Sequence, residues 1–167
     1  MLRSVLSPEE CAQCRFCCSF RRTSLWETPL FYSEELESIR KEYPNARFKT
    51  LDDNSVTVDL DGGYLTDDPD EEVLCPFNKN GCILNSEQKP FDCSIWPLRI
   101  MRKDKSLVIA LTPTCPAIGK KPLNVMRELV SGGLWDIIKE KARLHPEMIK
   151  PYREGFPILA EYEEREN

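Results

Sequence analysis

The sequence predicts an α+β fold: a single small domain of short antiparallel hairpins, cysteine-rich turns and packed helices, with a helical C-terminal segment. Three observations favour it: alternating apolar stretches of strand length, helix-start signals followed by apolar residues three and four apart, and thirteen prolines that stop elements early. The 167 residues are enough for one hydrophobic core. We expect residues 1–118 to form a metal-binding cysteine part and residues 119–167 a helical extension without cysteines.

The first predicted element is a helix that starts at Ser7-Pro8-Glu9-Glu10. This run joins an N-cap hydroxyl, a proline suited to the first helical position and a glutamate that completes a capping box. If the helix continues, Cys11, Cys14, Cys17 and Cys18 fall within an arc of roughly 120°. A knuckle-like loop, which many C-x2-C sites use, is the alternative.

The next elements alternate between helix and strand. Residues 33–43 carry an N-cap serine, two glutamates in the first turn and an apolar stripe, which predict a helix. Alternation predicts strands over 48–51 and 56–60, joined by a turn at 52–54. An acidic stretch at 66–72 lacks the alternating ligands and the glycine of an EF-hand, and is interpreted as a solvated loop.

The second half predicts one more hairpin and then two helices. Strands are expected at 98–102 and 107–112, around a polar turn. Beyond Pro122, one apolar-periodic stretch is ended by Gly132-Gly133 and the next by His145-Pro146. We expect these helices to pack as scaffold.

Composition and charge disfavour nucleic-acid and membrane partners. The formal net charge is −5, and the local basic run at 99–105 is interpreted as a solvated strand edge and turn. No segment approaches the about 20 apolar residues that span a bilayer. The N-terminus lacks the apolar region of a signal peptide because Pro8-Glu9-Glu10 interrupts it. We therefore expect a cytoplasmic protein; nothing indicates a protein partner.

The chemical signature of the chain is its eight cysteines. In a reducing compartment such a set favours metal ligation over disulfides. The spacing is C-x2-C-x2-C-C and, 56 residues later, C-x6-C-x10-C-x21-C. Each C-x2-C lets two sulfurs reach one ion without backbone strain. The candidate metal ligands are Cys11, Cys14, Cys17, Cys18, Cys75, Cys82, Cys93 and Cys115.

The identity of the metal is left open between zinc and iron. Eight thiolates suit two four-sulfur zinc sites, one [4Fe–4S] cluster with four cysteines to spare, or a cluster plus a zinc. The first three cysteines match the start of the bacterial ferredoxin run, but its closing Cys-Pro step is found only far away, at Cys75-Pro76 and Cys115-Pro116. The lone His145 is expected at a helix end. Cys18 is either a ligand or a free thiol beside the metal. Cys93 or Cys115, taken alone, would equally suit a buried apolar position.

Three blocks of the sequence carry a family resemblance: "CAQCRFCC", "CPFNKNGCILNSEQKPFDCSIWPL" and a late Cys-Pro. They resemble the CxxCxxCC cysteine-cluster (YkgJ-like) family, described as chelating zinc or iron, to which the flagellin lysine N-methylase also belongs. The resemblance covers roughly residues 11–116. Lys89 and Ser94 stand where the family pattern has arginines. It implies a metal-binding cluster that includes Cys11, Cys14, Cys17, Cys18, Cys75, Cys82 and Cys93, with Cys115 a looser match.

The main functional hypothesis is therefore a metal-binding cysteine-cluster protein whose metal is structural or redox-active. The resemblance also implies an alternative, an S-adenosylmethionine-dependent protein lysine N-methyltransferase-like enzyme. Against it, the sequence has no strand-ending G-x-G that opens a helix and no radical-type C-x3-C-x2-C. A metal-delivery or interaction module is the third hypothesis. No catalytic residue is indicated, and whether the chain is an enzyme is left open.

Overall fold

Contacts within the chain group into two compact units. The computed structural model describes residues 2, 4–7, 9–10 and 14–163. One unit runs from Leu6 to Ser94, and the other comprises residues 95–163 with the described residues before Leu6. The predicted α+β domain, with antiparallel hairpins and a C-terminal helical segment, is confirmed. The two units divide after Ser94, whereas the parts predicted from the cysteine positions divide after residue 118.

The core of the first unit is formed by helix α1 (Ser33–Glu42) and a three-stranded antiparallel sheet. The strand order is β2 (Leu30–Phe31), β4 (Val56–Val58) and β3 (Phe48–Thr50). Both the helix and the β3–β4 hairpin were predicted and are confirmed. Apolar side chains from these elements and from two later loop positions make one buried cluster: Phe20, Phe31, Leu36, Ile39, Val58, Leu60, Phe77 and Leu84.

Three short elements of the first unit have no signature in the sequence. Strand β1 (Ser19–Arg21) pairs antiparallel with β5 (Glu72–Leu74) as a separate two-stranded sheet. Helix α2 (Phe91–Ile95) is five residues long. Elements this short contain too few residues for a period of 2 or 3.6 to be recognised.

The predicted capping box at the N-terminus is present. The Ser7 N–H donates to the Glu10 carboxylate at 2.9 Å, and the Glu10 N–H donates to the Ser7 hydroxyl at 3.2 Å. Cys14 is helical, but no helix passes through Arg15, because that residue has a left-handed φ of 53°. Phe16–Cys18 then form a single 3₁₀ turn. A continuous helix through these cysteines is therefore wrong, and the loop alternative describes the chain after Cys14.

The second unit is organised around a four-stranded sheet. Its order is β8 (Lys150–Pro151), β6 (Leu98–Lys103), β7 (Ser106–Leu111) and β9 (Ile158–Glu163), with β8 parallel to β6 and the other pairs antiparallel. The predicted β6–β7 hairpin is confirmed. The basic run is solvated only in part, because Arg99 is buried with its guanidinium 4.8 Å from the Trp96 ring centroid.

Two helices follow the hairpin, as predicted. Helices α3 (Leu123–Leu129) and α4 (Trp135–Leu144) are separated by a kink at Gly132 and Gly133, where Gly133 has a φ of 109°. His145 caps the end of α4, in the predicted role. Within the described residues, none of the helices combines the length and the hydrophobicity that a bilayer crossing requires.

Candidate metal centre

Backbone pairing brings the first cysteine block to the second. The β1–β5 ladder sets Ser19 opposite Leu74, so Cys18 and Cys75 meet just beyond its end. The Cys75 N–H donates to the Cys18 carbonyl oxygen at 2.7 Å, which extends the pairing by one residue. Main-chain hydrogen bonds therefore hold side by side two cysteines that are distant in sequence.

The adjacent cysteines of the first block are also in contact. The Cys17 and Cys18 Sγ atoms lie 3.9 Å apart. The pKa of Cys18 is lowered to about 6, chiefly because of the hydrogen bond between its sulfur and that of Cys17. Burial opposes this effect, whereas a hydrogen bond with the Asn78 side chain and the positive charge of Lys89 support it. Cys18 is thus the thiol that the fold stabilises as a thiolate.

The loop between Cys75 and Cys82 is a tight reversal. The Asn78 N–H donates to the Cys75 carbonyl at 2.9 Å, and Asn78 forms an isolated antiparallel bridge with Cys82. Left-handed φ angles at Asn80 (63°) and Gly81 (125°) reverse the chain between them. The loop therefore returns Cys82 to the neighbourhood of Cys75.

Peptide N–H groups donate to two of the sulfurs in this loop. The Phe77 N–H donates to the Cys75 sulfur, and the Leu84 N–H donates to the Cys82 sulfur. Phe77 and Leu84 are buried in the core of the first unit, so these donors are fixed by the fold. Hydrogen bonds of this kind favour the thiolate, which is the form that binds a metal.

Four thiols of this region influence one another electrostatically. Burial raises the pKa of Cys75 to about 12, raises that of Cys82, and raises that of Cys93 well above its ordinary value. The charge of Cys18 adds to each of these three shifts. The ammonium group of Lys89 acts in the opposite direction on the pKa of Cys18, Cys82 and Cys93. The four thiols and this lysine consequently share one neighbourhood.

The predicted ligands are distributed unequally. Cys14, Cys17, Cys18, Cys75, Cys82 and Cys93 lie in the first unit, Cys115 is buried in the second, and Cys11 lies outside the described residues. Cys82 is exposed, and none of the seven described cysteines forms a disulfide. In the described ranges, no group of three or more His, Cys, Asp and Glu side chains is arranged to hold an ion. Thiolate sulfur is the donor type that suits a thiophilic metal.

Two supporting residues were not identified from the sequence. Asn78 contacts the first block through its side chain. Gln88 is only 1% exposed, and its amide nitrogen donates to Glu42 at 2.7 Å and to Ser38 at 3.3 Å, which ties the segment between Cys82 and Cys93 to α1. Neither residue differs in type from the solvated polar residues around it, so no local pattern marks it.

Comparison with known proteins does not supply a relative. No protein-family model, no curated protein and no solved structure matches the chain. The resemblance to the CxxCxxCC family therefore stays a prediction. The function has to be argued from the arrangement of the cysteines.

Proposed function

We propose that the chain is a metal-binding cysteine-cluster protein that holds zinc or iron through thiolates. The observation that carries the proposal is that backbone pairing sets Cys18 beside Cys75 and the following loop returns Cys82 towards Cys75, with main-chain N–H donors to the Cys75 and Cys82 sulfurs. Thiolate is a soft donor that suits zinc and iron–sulfur centres. All eight cysteines stay candidate ligands for the protein as a whole.

Burial of cysteine as a small hydrophobic residue is the rival explanation. It accounts for the burial of Cys93 but not for the polar groups around the other thiols. An apolar role needs no N–H donors to Cys75 and Cys82, and no asparagine or lysine beside Cys18. Hydrogen bonds and a positive charge that stabilise thiolates are the supporting groups that metal ligands require.

The short lengths of β1, β5 and α2 favour a structural role for the metal. β1 and β5 have three residues each and α2 has five, lengths that do not support stable structure on their own. A metal held between them links the first block, the loop and α2. Structural zinc contributes about 10–16 kcal/mol of apparent binding free energy in finger peptides, which is also folding free energy.

The proposal includes a reducing, cytoplasmic location, because the thiols have to stay unpaired to bind metal. A metal-delivery module is a second candidate, favoured by the exposure of Cys82 at the edge of the cluster. The methyl-transfer alternative gains no support from the described residues.

Metal analysis of the full-length protein, purified without oxygen, tests the proposal. We expect at least one zinc or iron per chain, and the visible absorption spectrum separates an iron–sulfur cluster from zinc. A chelator-treated sample is the control. Near-zero metal, together with eight thiols that all titrate freely in the native protein, contradicts the proposal.

A further inference from the structure

We infer that Cys18 and Cys75 form a redox-sensitive cross-strand disulfide, which a peroxide closes and a thiol reductant opens. The pair lies at the end of the β1–β5 ladder, so the bond would join two segments that 56 residues separate. The inference goes beyond the proposed function and does not depend on it. It concerns the oxidation of these two thiols, whether or not they also bind a metal.

The register of the ladder sets the two cysteines opposite each other. Ser19 pairs with Leu74, so the next pair outwards is Cys18 and Cys75. The 2.7 Å hydrogen bond from the Cys75 N–H to the Cys18 carbonyl oxygen extends the antiparallel pairing to them. In a hydrogen-bonded antiparallel pair the two Cα atoms lie about 5.5 Å apart. Disulfides join Cα atoms that are about 4.4–6.8 Å apart, so the backbone already has the separation that a disulfide requires.

The two side chains need only a small approach from this backbone. The Cβ atoms of directly opposed residues lie about 4.5–5.5 Å apart. A disulfide needs about 3.5–4.5 Å, so the Cβ atoms have to close by about 1 Å. The Cys18 N–H donates to the Arg15 carbonyl at 3.0 Å within the 3₁₀ turn, whereas the Cys18 carbonyl faces the ladder. Because the pair lies at the ladder's end, this approach leaves the pairing of β1 with β5 intact.

Neighbouring contacts hold the register on which the pairing depends. The Glu72 carboxylate accepts hydrogen bonds from the Ser19 hydroxyl at 2.7 Å and from the Arg21 guanidinium at 3.0 Å. Phe20 is buried in the core cluster of the first unit, against which Cys75 also packs. A slip of one residue would turn Phe20 away from that core. The strands are therefore fixed in the register that opposes the two cysteines.

Cys17 is the nearest competitor, because its Sγ lies 3.9 Å from that of Cys18. A bond between these sequence neighbours is geometrically unfavourable. Cα atoms joined by a trans peptide are about 3.8 Å apart, which falls short of the lower limit of about 4.4 Å for a disulfide. The cross-strand pair needs no such distortion of the backbone. The separations consequently favour Cys75 over Cys17 as the partner of Cys18.

The oxidation is a two-electron reaction with hydrogen peroxide. Both thiols are half-buried, so a small oxidant can reach them. In the first step one thiol becomes a sulfenic acid: a sulfur–oxygen bond forms, the peroxide oxygen–oxygen bond breaks and one water leaves. The other thiol then attacks this sulfur, so that the sulfur–sulfur bond forms, the sulfur–oxygen bond breaks and a second water leaves. A thiol reductant restores both thiols by exchange.

The disulfide would act as a staple between two very short strands. β1 and β5 have three residues each, and a cross-link between distant segments restricts mainly the open state. We expect oxidation to slow amide hydrogen exchange in β1 and β5 by at least about tenfold and to leave β6 and β7 unchanged. An unchanged rate in β1 and β5 would overturn the stapling role. Under the proposed function, the bond would also remove two candidate metal ligands.

The test is disulfide mapping of the unsubstituted, full-length protein after one equivalent of hydrogen peroxide. The protein is oxidised as purified and also after chelation of any metal. Trypsin separates peptide 16–21, which contains Cys17 and Cys18, from peptide 50–79, which contains Cys75. We expect mass spectrometry to find these peptides joined as the main intramolecular product in at least one sample, and separated after reduction. A different main pair, or no pair in either sample, would overturn the inference and leave the proposed metal binding untouched.

Serine variants at neighbouring positions identify the cysteine that is joined to Cys75. Cys18→Ser should lower the yield of the cross-link by more than about 10-fold, whereas the matched Cys17→Ser should leave it within about twofold. Cys115→Ser, in the second unit, controls for general effects of losing a thiol and should not change the yield. The reverse result for positions 17 and 18 would make Cys17 the partner of Cys75 and overturn the inference.

Oxidation in denaturant separates the effect of the fold from that of thiol reactivity. In an unfolded chain, loop closure favours cysteines that are close in sequence, such as Cys14 and Cys17, over a pair separated by 56 residues. The share of the cross-link between peptides 16–21 and 50–79 should therefore fall by more than about fivefold in denaturant. An equal share in native and denatured samples would show that the β1–β5 ladder does not direct the pairing, and would overturn the inference.

Discussion

Under the proposed function, proton release on metal binding can be worked out for the case in which Cys18, Cys75, Cys82 and Cys93 bind one ion. The pKa of Cys75 is about 12 and those of Cys82 and Cys93 are raised, so these three thiols are protonated at about pH 7.5. With a pKa of about 6, Cys18 is more than about nine-tenths thiolate at that pH. Ligands bind as thiolates, so one Zn²⁺ should release about three protons at about pH 7.5 and about four at about pH 5. The affinity should therefore fall as the pH is lowered, and fall more steeply below the pKa of Cys18.

Calorimetric titration in buffers of different ionisation enthalpy counts these protons. Cys18→Ser should release about three protons at both pH values, because the group responsible for the change has been removed; Cys14→Ser should behave like the unsubstituted protein. Release of four protons at about pH 7.5 would show that Cys18 is not held as a thiolate. Release of fewer than two would show that the buried thiols are not ligands.

Three further predictions concern the fold. Chelation of the metal should speed amide hydrogen exchange in β1 and β5 while β6 and β7 keep their rates; equal change in both sheets would refute a structural role confined to the first unit. Gln88→Leu, which leaves the Glu42 carboxylate without its amide donor, should lower the free energy of unfolding by about 1–3 kcal/mol. In the same denaturant titration the free energy of unfolding of the exposed control Glu87→Leu should stay within about 0.5 kcal/mol of the unsubstituted protein. Equal losses in the two variants would show that the Gln88 hydrogen bonds to α1 do not stabilise the fold. Gly133→Ala should lower the free energy of unfolding by about 1–3 kcal/mol because φ is 109° at this position. Gly132→Ala should have a smaller effect, because φ is −75° there and a Cβ added at this position would meet no other atom. Thermal melting of the two variants measures the difference.

The elements that could be predicted are those whose periodicity is long enough to recognise. Strands β6 and β7 have six residues each and α4 has ten, and their ends coincide with turn residues or helix stops. The left-handed Arg15 could not be predicted, because arginine has no special preference for positive φ. That single backbone angle excludes a helix that runs on from Cys14 through Cys17 and Cys18.

The candidate site, too, could be predicted from the sequence only in part. The spacing of the cysteines predicts which residues are candidates, since each C-x2-C is a local property. Which of them meet depends on the β1–β5 ladder, which joins segments that lie about 50 residues apart. No local pattern contains that pairing, so the grouping of Cys18 with Cys75 could only come from the structure.

Lys89 bears on the proposed metal binding through its charge. The CxxCxxCC pattern that the chain resembles has arginine at this position, and arginine forms planar two-pronged contacts with carboxylates and phosphates. Lysine keeps the positive charge but offers a single compact ammonium group. In this chain that charge lowers the pKa of Cys18, Cys82 and Cys93. A divalent ion with four thiolates carries a net negative charge, so under the proposed function the charge of Lys89 would stabilise the metal-bound state.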